Sequence, residues 1–208
     1  MARRKENPLK KKRTQNKLIL FAAEGHNATE TLNLKDLIKD LNGVVLRKAY
    51  GNETDPVGMV ENIINTMDEY GFDSEYGDLA FCFADFDCDK GKEQQIKAAL
   101  ELATSNHIHL IISNPCFELW YICHFTNSPK NYLKSRDLIN DMPSYIKGYN
   151  KSMEAIYPLI KNKTNTAIRN AEQLEKRAIK KVYEPHTADF SPTTDVYRIF
   201  QLVPGLNI

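Results

Sequence analysis

Residues 79–89 read Leu79-Ala-Phe-Cys-Phe-Ala-Asp-Phe-Asp-Cys-Asp89, six apolar side chains followed by acids at every second position. A short apolar run of this kind is typical of a strand buried on both faces, as in a parallel sheet. Further strand-like runs precede and follow it along the chain. We therefore predict four strands, at residues 17–23, 44–49, 79–84 and 107–112.

The segments between these strands carry apolar side chains at helical intervals, which predicts helices at 29–41, 56–70 and 92–105. Asp55 and Pro56 are typical of a helix start, as a capping acid followed by proline in the first turn. Strands and helices that alternate with short connections favour an α/β fold with a doubly wound, mostly parallel sheet. After residue 113 mostly helical segments follow, which predicts a helical C-terminal half with helices at 117–125, 132–139, 153–160 and 165–181.

The charges of the 208 residues are unevenly spread, although 28 Lys and Arg against 27 Asp and Glu leave a net charge of only +1. Residues 1–17 hold eight bases and one acid, so residues 18–208 hold 20 bases and 26 acids, a net charge of −6. This pattern predicts a flexible basic arm over residues 1–16 and a single domain over 17–208. It excludes a uniformly basic coat protein for nucleic acid.

No apolar stretch has the length of a membrane span, and the apolar run near the N-terminus is too short for a signal peptide. These features predict a cytoplasmic protein. Its four cysteines are then expected to be reduced thiols, and the absence of a CxxC pair argues against a zinc site. They are Cys82, Cys88, Cys116 and Cys123.

Acidic residues follow three of the predicted strands, at the sheet edge where open α/β folds bind ligands. Glu24 follows the first strand, Asp85 and Asp87 follow the third, and Glu118 comes shortly after the fourth. An extended backbone would direct Asp85 and Asp87 the same way, with Asp89 next in the series. Carboxylates packed together repel one another, and a divalent cation removes that cost. Ligands that are all oxygens favour Mg²⁺ or Mn²⁺ over zinc.

Simpler roles remain open for single acids of this set. Asp89 precedes Lys90-Gly91 and suits a turn or a helix cap, and Glu24 on its own suits a turn. A calcium-binding EF-hand loop is excluded, because its sixth position would be Lys90 rather than glycine and its twelfth Ile96 rather than glutamate.

Several motifs resemble known families. The Glu24-Gly25 pair and the acids Asp85 and Asp87 resemble the Toprim motif of topoisomerases, primases and certain nucleases. Three longer stretches are similar to the RloB-like family, bacterial proteins associated with restriction and phage-defence loci, and the resemblance covers about residues 15–204. These stretches are Ala23-Glu-Gly-His-Asn-Ala-Thr-Glu30, Ser113-Asn-Pro-Cys-Phe-Glu-Leu-Trp-Tyr121 and Phe190-Ser-Pro-Thr-Thr-Asp-Val-Tyr197.

The resemblance implies a Toprim-like, metal-dependent nuclease of an anti-phage system. By this resemblance Glu24 is a metal ligand or general base, Asp85 and Asp87 hold Mg²⁺ or Mn²⁺ with support from Asp89, and Glu118 is a further catalytic acid. RNA, and tRNA in particular, is the preferred substrate by analogy with other Toprim-type defence effectors, while DNA stays open. A partner ATPase or an activating signal is expected, and the oligomeric state is left open.

The basic arm suits contacts with phosphates and a salt-dependent affinity for nucleic acid. Its candidate binding residues, together with His26, are Arg3, Arg4, Lys10, Lys11, Lys12 and Arg13. Solubility and docking of an acidic partner are the alternatives for such an arm.

Two other functions stay open for the whole chain. Residues 81–87 also resemble the nucleophile strand of haloacid-dehalogenase-like phosphatases, although that strand normally comes first rather than third. A non-catalytic module that guides a partner would bind nucleic acid without metal and without Asp85 or Asp87.

Overall fold

The computed structural model describes residues 16–24, 29–39, 41–51, 53–154 and 156–206. In this part of the chain, five strands form one sheet in the order β2-β1-β3-β4-β5. The first four run parallel, and β5 pairs antiparallel with the end of β4. The predicted α/β fold with a mostly parallel sheet is therefore confirmed. The strands are β1 (Lys17–Ala22), β2 (Val44–Lys48), β3 (Leu79–Asp85), β4 (His109–Asn114) and β5 (Thr193–Thr194).

Helices cover both faces of the sheet, and the C-terminal half is helical, as predicted. Strand β5 and helix α8 were not predicted, because elements of two and five residues are too short to show a hydrophobic period. None of the helices in the described ranges combines the length and apolar character needed to cross a membrane. The helices are α1 (Thr29–Ile38), α2 (Pro56–Tyr70), α3 (Glu93–Ser105), α4 (Glu118–Cys123), α5 (Ser135–Asp141), α6 (Ile156–Ile160), α7 (Thr164–Lys180) and α8 (Arg198–Leu202).

Helix α2 starts and stops where its sequence requires. The Asp55 carboxylate accepts a hydrogen bond from the Gly58 amide at 3.0 Å, and Pro56 occupies the first turn. This confirms the predicted cap. At the other end Gly71 takes a left-handed conformation (φ 61°), and its amide bonds the Met67 carbonyl. Glycine tolerates this conformation without steric cost, so the chain can turn into the segment that leads to β3.

Successive side chains of β1 lie alternately in two separate hydrophobic cores. Ile19 and Phe21 pack with α1 and the C-terminal helices, whereas Leu18, Leu20 and Ala22 pack with α2 and α3. Both faces of the strand are thus buried, which is why its sequence is continuously apolar. Helix α1 covers only part of its face of the sheet, and the helical C-terminal half covers the rest of that face.

The predicted basic arm lies outside the described residues except for Asn16. The cysteines are free thiols, as predicted, and all but the half-buried Cys88 are buried. Burial raises the pKa of Cys82 and of Cys123 to about 12, so both thiols are protonated at neutral pH.

His124 belongs to the core packed around α4. It is 1% exposed, and its ring lies 4.9 Å from the Trp120 ring, centroid to centroid. The Trp120 carbonyl accepts a hydrogen bond at 3.0 Å from Nδ1, so that nitrogen carries the proton. Nε2 is buried without a partner among the described residues. Burial lowers the pKa of His124 from 6.5 to about 4.

This buried histidine predicts a loss of stability in acid. Between pH 6.5 and 4 the unfolded chain binds a proton at His124 that the folded chain does not, so the free energy of unfolding falls as the pH falls. We expect the wild type to lose about 3 kcal/mol more than His124→Phe over this range. Denaturant unfolding of both proteins at several pH values measures the difference. Parallel curves would contradict the prediction; the other titrating groups cancel because both proteins share them.

Candidate active site

A crevice opens at the sheet edge where β1 and β3 end. Strand β1 pairs with β2 on one side and with β3 on the other, and helices α1 and α2 cover opposite faces. Such a change of winding direction is the usual ligand site of open α/β sheets. Glu24 follows β1, Asp85 ends β3, and both line a cavity of about 200 Å³. The fold thus brings these two acids together.

Asp85 is held in place from the strand after its own. Its Oδ1 accepts a hydrogen bond at 2.9 Å from the amide of Phe117, which follows β4. Burial raises the pKa of Asp85 well above its ordinary value, and repulsion by Glu30, Glu118 and other nearby acids adds to the rise. Part of the residue still reaches the cavity beside Glu24. The carboxyl is therefore electrostatically strained unless positive charge is supplied.

Glu118 is the first residue of α4 and is 2% exposed. Tyr149 donates a hydrogen bond to its Oε1 at 2.9 Å, and burial together with the charge of Glu118 raises the pKa of that tyrosine. The phenol therefore stays protonated and remains a donor. Side-chain oxygens of Asp85 and Glu118 and the sulfur of Cys116 lie within 4.8 Å of one another.

Glu30 is a site residue that sequence reasoning did not assign. It lies in the first turn of α1 and is 9% exposed. Burial raises the pKa of Glu30 to about 7, and repulsion by Glu118 and Glu24 contributes to the rise. The only sequence signal for it is the Thr29-Glu30 pair in the first family-like stretch. We call Glu30, Asp85 and Glu118 together the acid cluster.

Two lysines bring positive charge to the acids. Lys92 Nζ lies 2.5 Å from Asp87 Oδ2 and donates to the Asp85 carbonyl at 3.0 Å. Burial opposes the charge of Lys92, but the hydrogen bond and the charge of Asp87 outweigh it and raise its pKa. Burial likewise lowers the pKa of Lys151, but nearby acids, chiefly Glu118 and Asp85, outweigh this effect, so the net shift of the pKa is upward. Lys92 is positioned by acids five and seven residues before it, whereas Lys151 meets acids from distant segments, so no local sequence pattern marks Lys151.

The backbone turns sharply after β3. Asp87 and Cys88 are left-handed (φ 58° and 54°), so the extended geometry expected to align Asp85 with Asp87 and Asp89 is wrong beyond Asp85. The amides of this turn pair instead with the end of β4 and the residues just after it. The Asp87 amide bonds the Pro115 carbonyl at 2.8 Å, and the Cys88 amide bonds Asn114 Oδ1 at 3.1 Å. Ser135 donates to the second Asp87 oxygen.

Asp89 is exposed and caps a short turn of 3-10 helix at residues 90–92. Its Oδ1 accepts a hydrogen bond from the Gly91 amide at 2.8 Å. The structure thus shows the capping role that the sequence left open. His26 and the arm residues proposed to bind nucleic acid lie outside the described residues.

The acid cluster suits a hard divalent cation. Asp85 and Glu118 offer oxygen ligands close together, and Glu24 lies at the same edge of the sheet. Burial and the charges of Glu118 and Asp85 raise the pKa of Cys116 well above its usual range, so the nearby thiol is protonated and a poor ligand. Burial and, after it, mutual repulsion raise the pKa values of Asp85 and Glu30, and a cation bound here would remove the repulsion.

A parallel sheet wound in both directions, with acids converging at its switch point, defines an α/β protein with a carboxylate-rich site. The model of the family described as RloB-like protein matches residues 19–203, nearly the whole chain. The chain therefore belongs to the RloB-like protein family, and the resemblance noted in the sequence is confirmed. Comparisons with curated proteins and with solved structures found no match.

The repulsion within the acid cluster predicts stabilisation by divalent cations. At ten times the dissociation constant, Mg²⁺ or Mn²⁺ is expected to stabilise the wild type by about 1.4 kcal/mol. For a chain of this length that raises the melting temperature by about 3–6 °C. Differential scanning calorimetry with and without the metal measures the shift.

Asp85→Asn should abolish this shift and melt no lower than the metal-free wild type, because asparagine keeps an oxygen for the Phe117 amide and removes a repelling charge. Asp89→Asn is the matched control and should keep the full shift. An equal shift in all three proteins would place the cation elsewhere.

Proposed function

We propose that this protein is a metal-dependent nuclease that hydrolyses phosphodiester bonds with the acids at the switch point of its sheet. The observation that carries the proposal is that Glu24 and Asp85, from separate segments, line a cavity open to solvent, and that a carboxylate oxygen of Glu118, from a third segment, lies within 4.8 Å of one of Asp85. Family membership and the Toprim-like pattern of Glu24 and Asp85 support the same reaction class.

Each residue has a role that its surroundings suit. Asp85 and Glu118, with Glu24, hold Mg²⁺ or Mn²⁺, which when bound neutralises charge on the phosphate and lowers the pKa of water. Glu24 is the exposed member of the set and lies where it can take the proton from an attacking water. Lys92 lines the same cavity and meets a phosphate oxygen there. Asp87 positions Lys92 through their ion pair.

RNA, with tRNA as the first candidate, is the proposed substrate, and anti-phage defence in the cytoplasm is the proposed setting. The eight bases of residues 1–17 support a polyanionic substrate, since the remainder of the chain has a net charge of −6 and needs a means to attract one. A partner ATPase or an activating signal fits a nuclease that the host must keep silent before infection.

The test is cleavage of total tRNA and of plasmid DNA in Mg²⁺, in Mn²⁺ and in EDTA. We expect cutting only with metal, and faster cutting of tRNA than of plasmid. Asp85→Asn and Glu24→Gln should lower kcat/KM at least about 100-fold, because each removes a group that acts on the reacting atoms. Gel electrophoresis of end-labelled substrate gives the rates.

Asp89→Asn is again the matched control and should cleave at the wild-type rate. Cleavage that survives EDTA or the Asp85→Asn change would contradict the proposal. No cleavage under any condition, combined with RNA binding that needs neither metal nor Asp85, would favour a non-catalytic module that guides a partner.

A further inference from the structure

A second, larger cavity of about 600 Å³ lies next to the turn that carries Asp87. Its walls come from the loop at residues 128–133, the C-terminal end of α7 and the segment at 183–192. Cys88 and Lys90 complete the lining. The segment 85–92 therefore borders both cavities, since Asp85 and Lys92 line the smaller one.

The charge of this cavity is opposite to that of the chain around it. Among the residues that the structure describes, Lys90, Arg177 and Lys181 line it, against a single acid, Asp189. Lys90 and Asp189 form an exposed ion pair of 3.6 Å, which leaves two positive charges in excess. In a body with a net charge of −6, a cavity of positive charge is selective for an anionic ligand.

Exposed apolar groups lie beside these cations. Tyr183 is 37% exposed with Lys181 Nζ 5.7 Å from its ring centre, and Leu133 is 71% exposed on the facing loop. Aromatic rings next to cations are the combination that binds single-stranded nucleic acid, because the ring stacks on a base while the cations contact phosphates.

The conformation of Val182, the residue before Tyr183, indicates that the backbone is constrained beside the larger cavity. Val182 is left-handed (φ 62°) although it is β-branched and 89% exposed, a conformation usually left to glycine at a helix end. The Tyr183 amide bonds the Ala178 carbonyl at 3.2 Å, which fixes the turn. The strained turn thus holds the tyrosine at the cavity rather than along a continued helix.

We infer that the larger cavity receives an unpaired nucleotide of the strand that is cut at Glu24, Asp85 and Glu118. Its volume suits one nucleotide and is too small for a base-paired helix. The segment 85–92 joins it to the smaller cavity, so a strand bound in one is led toward the other. The inference rests on the proposed function for the fate of the strand, but binding is tested without cleavage.

The experiment measures fluorescence anisotropy of a labelled ten-nucleotide single-stranded RNA, in EDTA, with full-length Asp85→Asn as the parent protein. Adding Arg177→Gln and Lys181→Gln to this parent should weaken binding at least about tenfold and flatten the dependence of log Kd on log salt by about 1.4. Adding Tyr183→Ala should weaken binding about tenfold with the salt slope unchanged. DNA of the same sequence distinguishes the two kinds of strand.

The matched control adds Lys176→Gln and Lys180→Gln, which remove the same charge from exposed positions of α7 that do not line the cavity. It should bind within about twofold of the parent. Equal losses in the cavity and control variants, no loss in either, or no binding by the parent would overturn the inference. So would a duplex of the same sequence that binds as tightly, or a free mononucleotide that competes as well as the oligonucleotide.

Failure of the two proposals can be told apart. If the cavity variants bind like the parent while Asp85→Asn abolishes metal-dependent cleavage, the nuclease stands and the cavity inference falls. If the cavity variants lose binding while cleavage survives EDTA or the Asp85→Asn change, the cavity is a nucleic-acid site and the proposed reaction falls.

Discussion

Because β1 lies between β2 and β3, the first crossover moves to one side of β1, and the second crossover moves back past β1 to its other side. The helices of the two crossovers cover opposite faces, and a cavity remains beyond the strand ends. Three acids of the site are placed relative to this gap: Glu24 after β1, Asp85 at the end of β3, and Glu30 at the start of the helix that follows β1. Strand pairing in the interior thus determines which side chains face one another at the edge.

Burying three carboxylates together is unfavourable, and the surroundings offset this only in part. Tyr149 donates a hydrogen bond to Glu118, the Phe117 amide donates one to Asp85, and Lys151 adds charge from a distant turn. The pKa values of Asp85 and Glu30 remain raised all the same. These acids therefore lower the stability of the folded protein, which is typical of a functional site rather than of residues that serve folding.

The strands and the long helices could be predicted because their buried positions form local patterns of apolar side chains, as continuous runs in the strands and at helical intervals in the helices. The proximity of Glu24, Asp85 and Glu118 could be predicted because strand ends and a family-like motif mark these residues. Glu30 and Lys151 could not, since their environment arises from segments far apart in the chain. The sequence predicts an extended backbone at Asp87, but hydrogen bonds from the turn to the end of β4 and the residues after it override this local preference. Strand β5 has only two residues, too few to show a periodic pattern of apolar side chains.

Asn114 joins the turn at Cys88 to the far end of the chain. Its Oδ1 accepts the Cys88 amide, and its Nδ2 donates to the Ala188 carbonyl at 3.0 Å, next to the strand β5 that closes the sheet. Until the segment that contains Ala188 has been synthesised, the Asn114 side chain lacks this partner and is held only through its contact with the Cys88 turn. The order of synthesis therefore completes the contacts of Asn114 only after a segment 74 residues further along the chain has emerged.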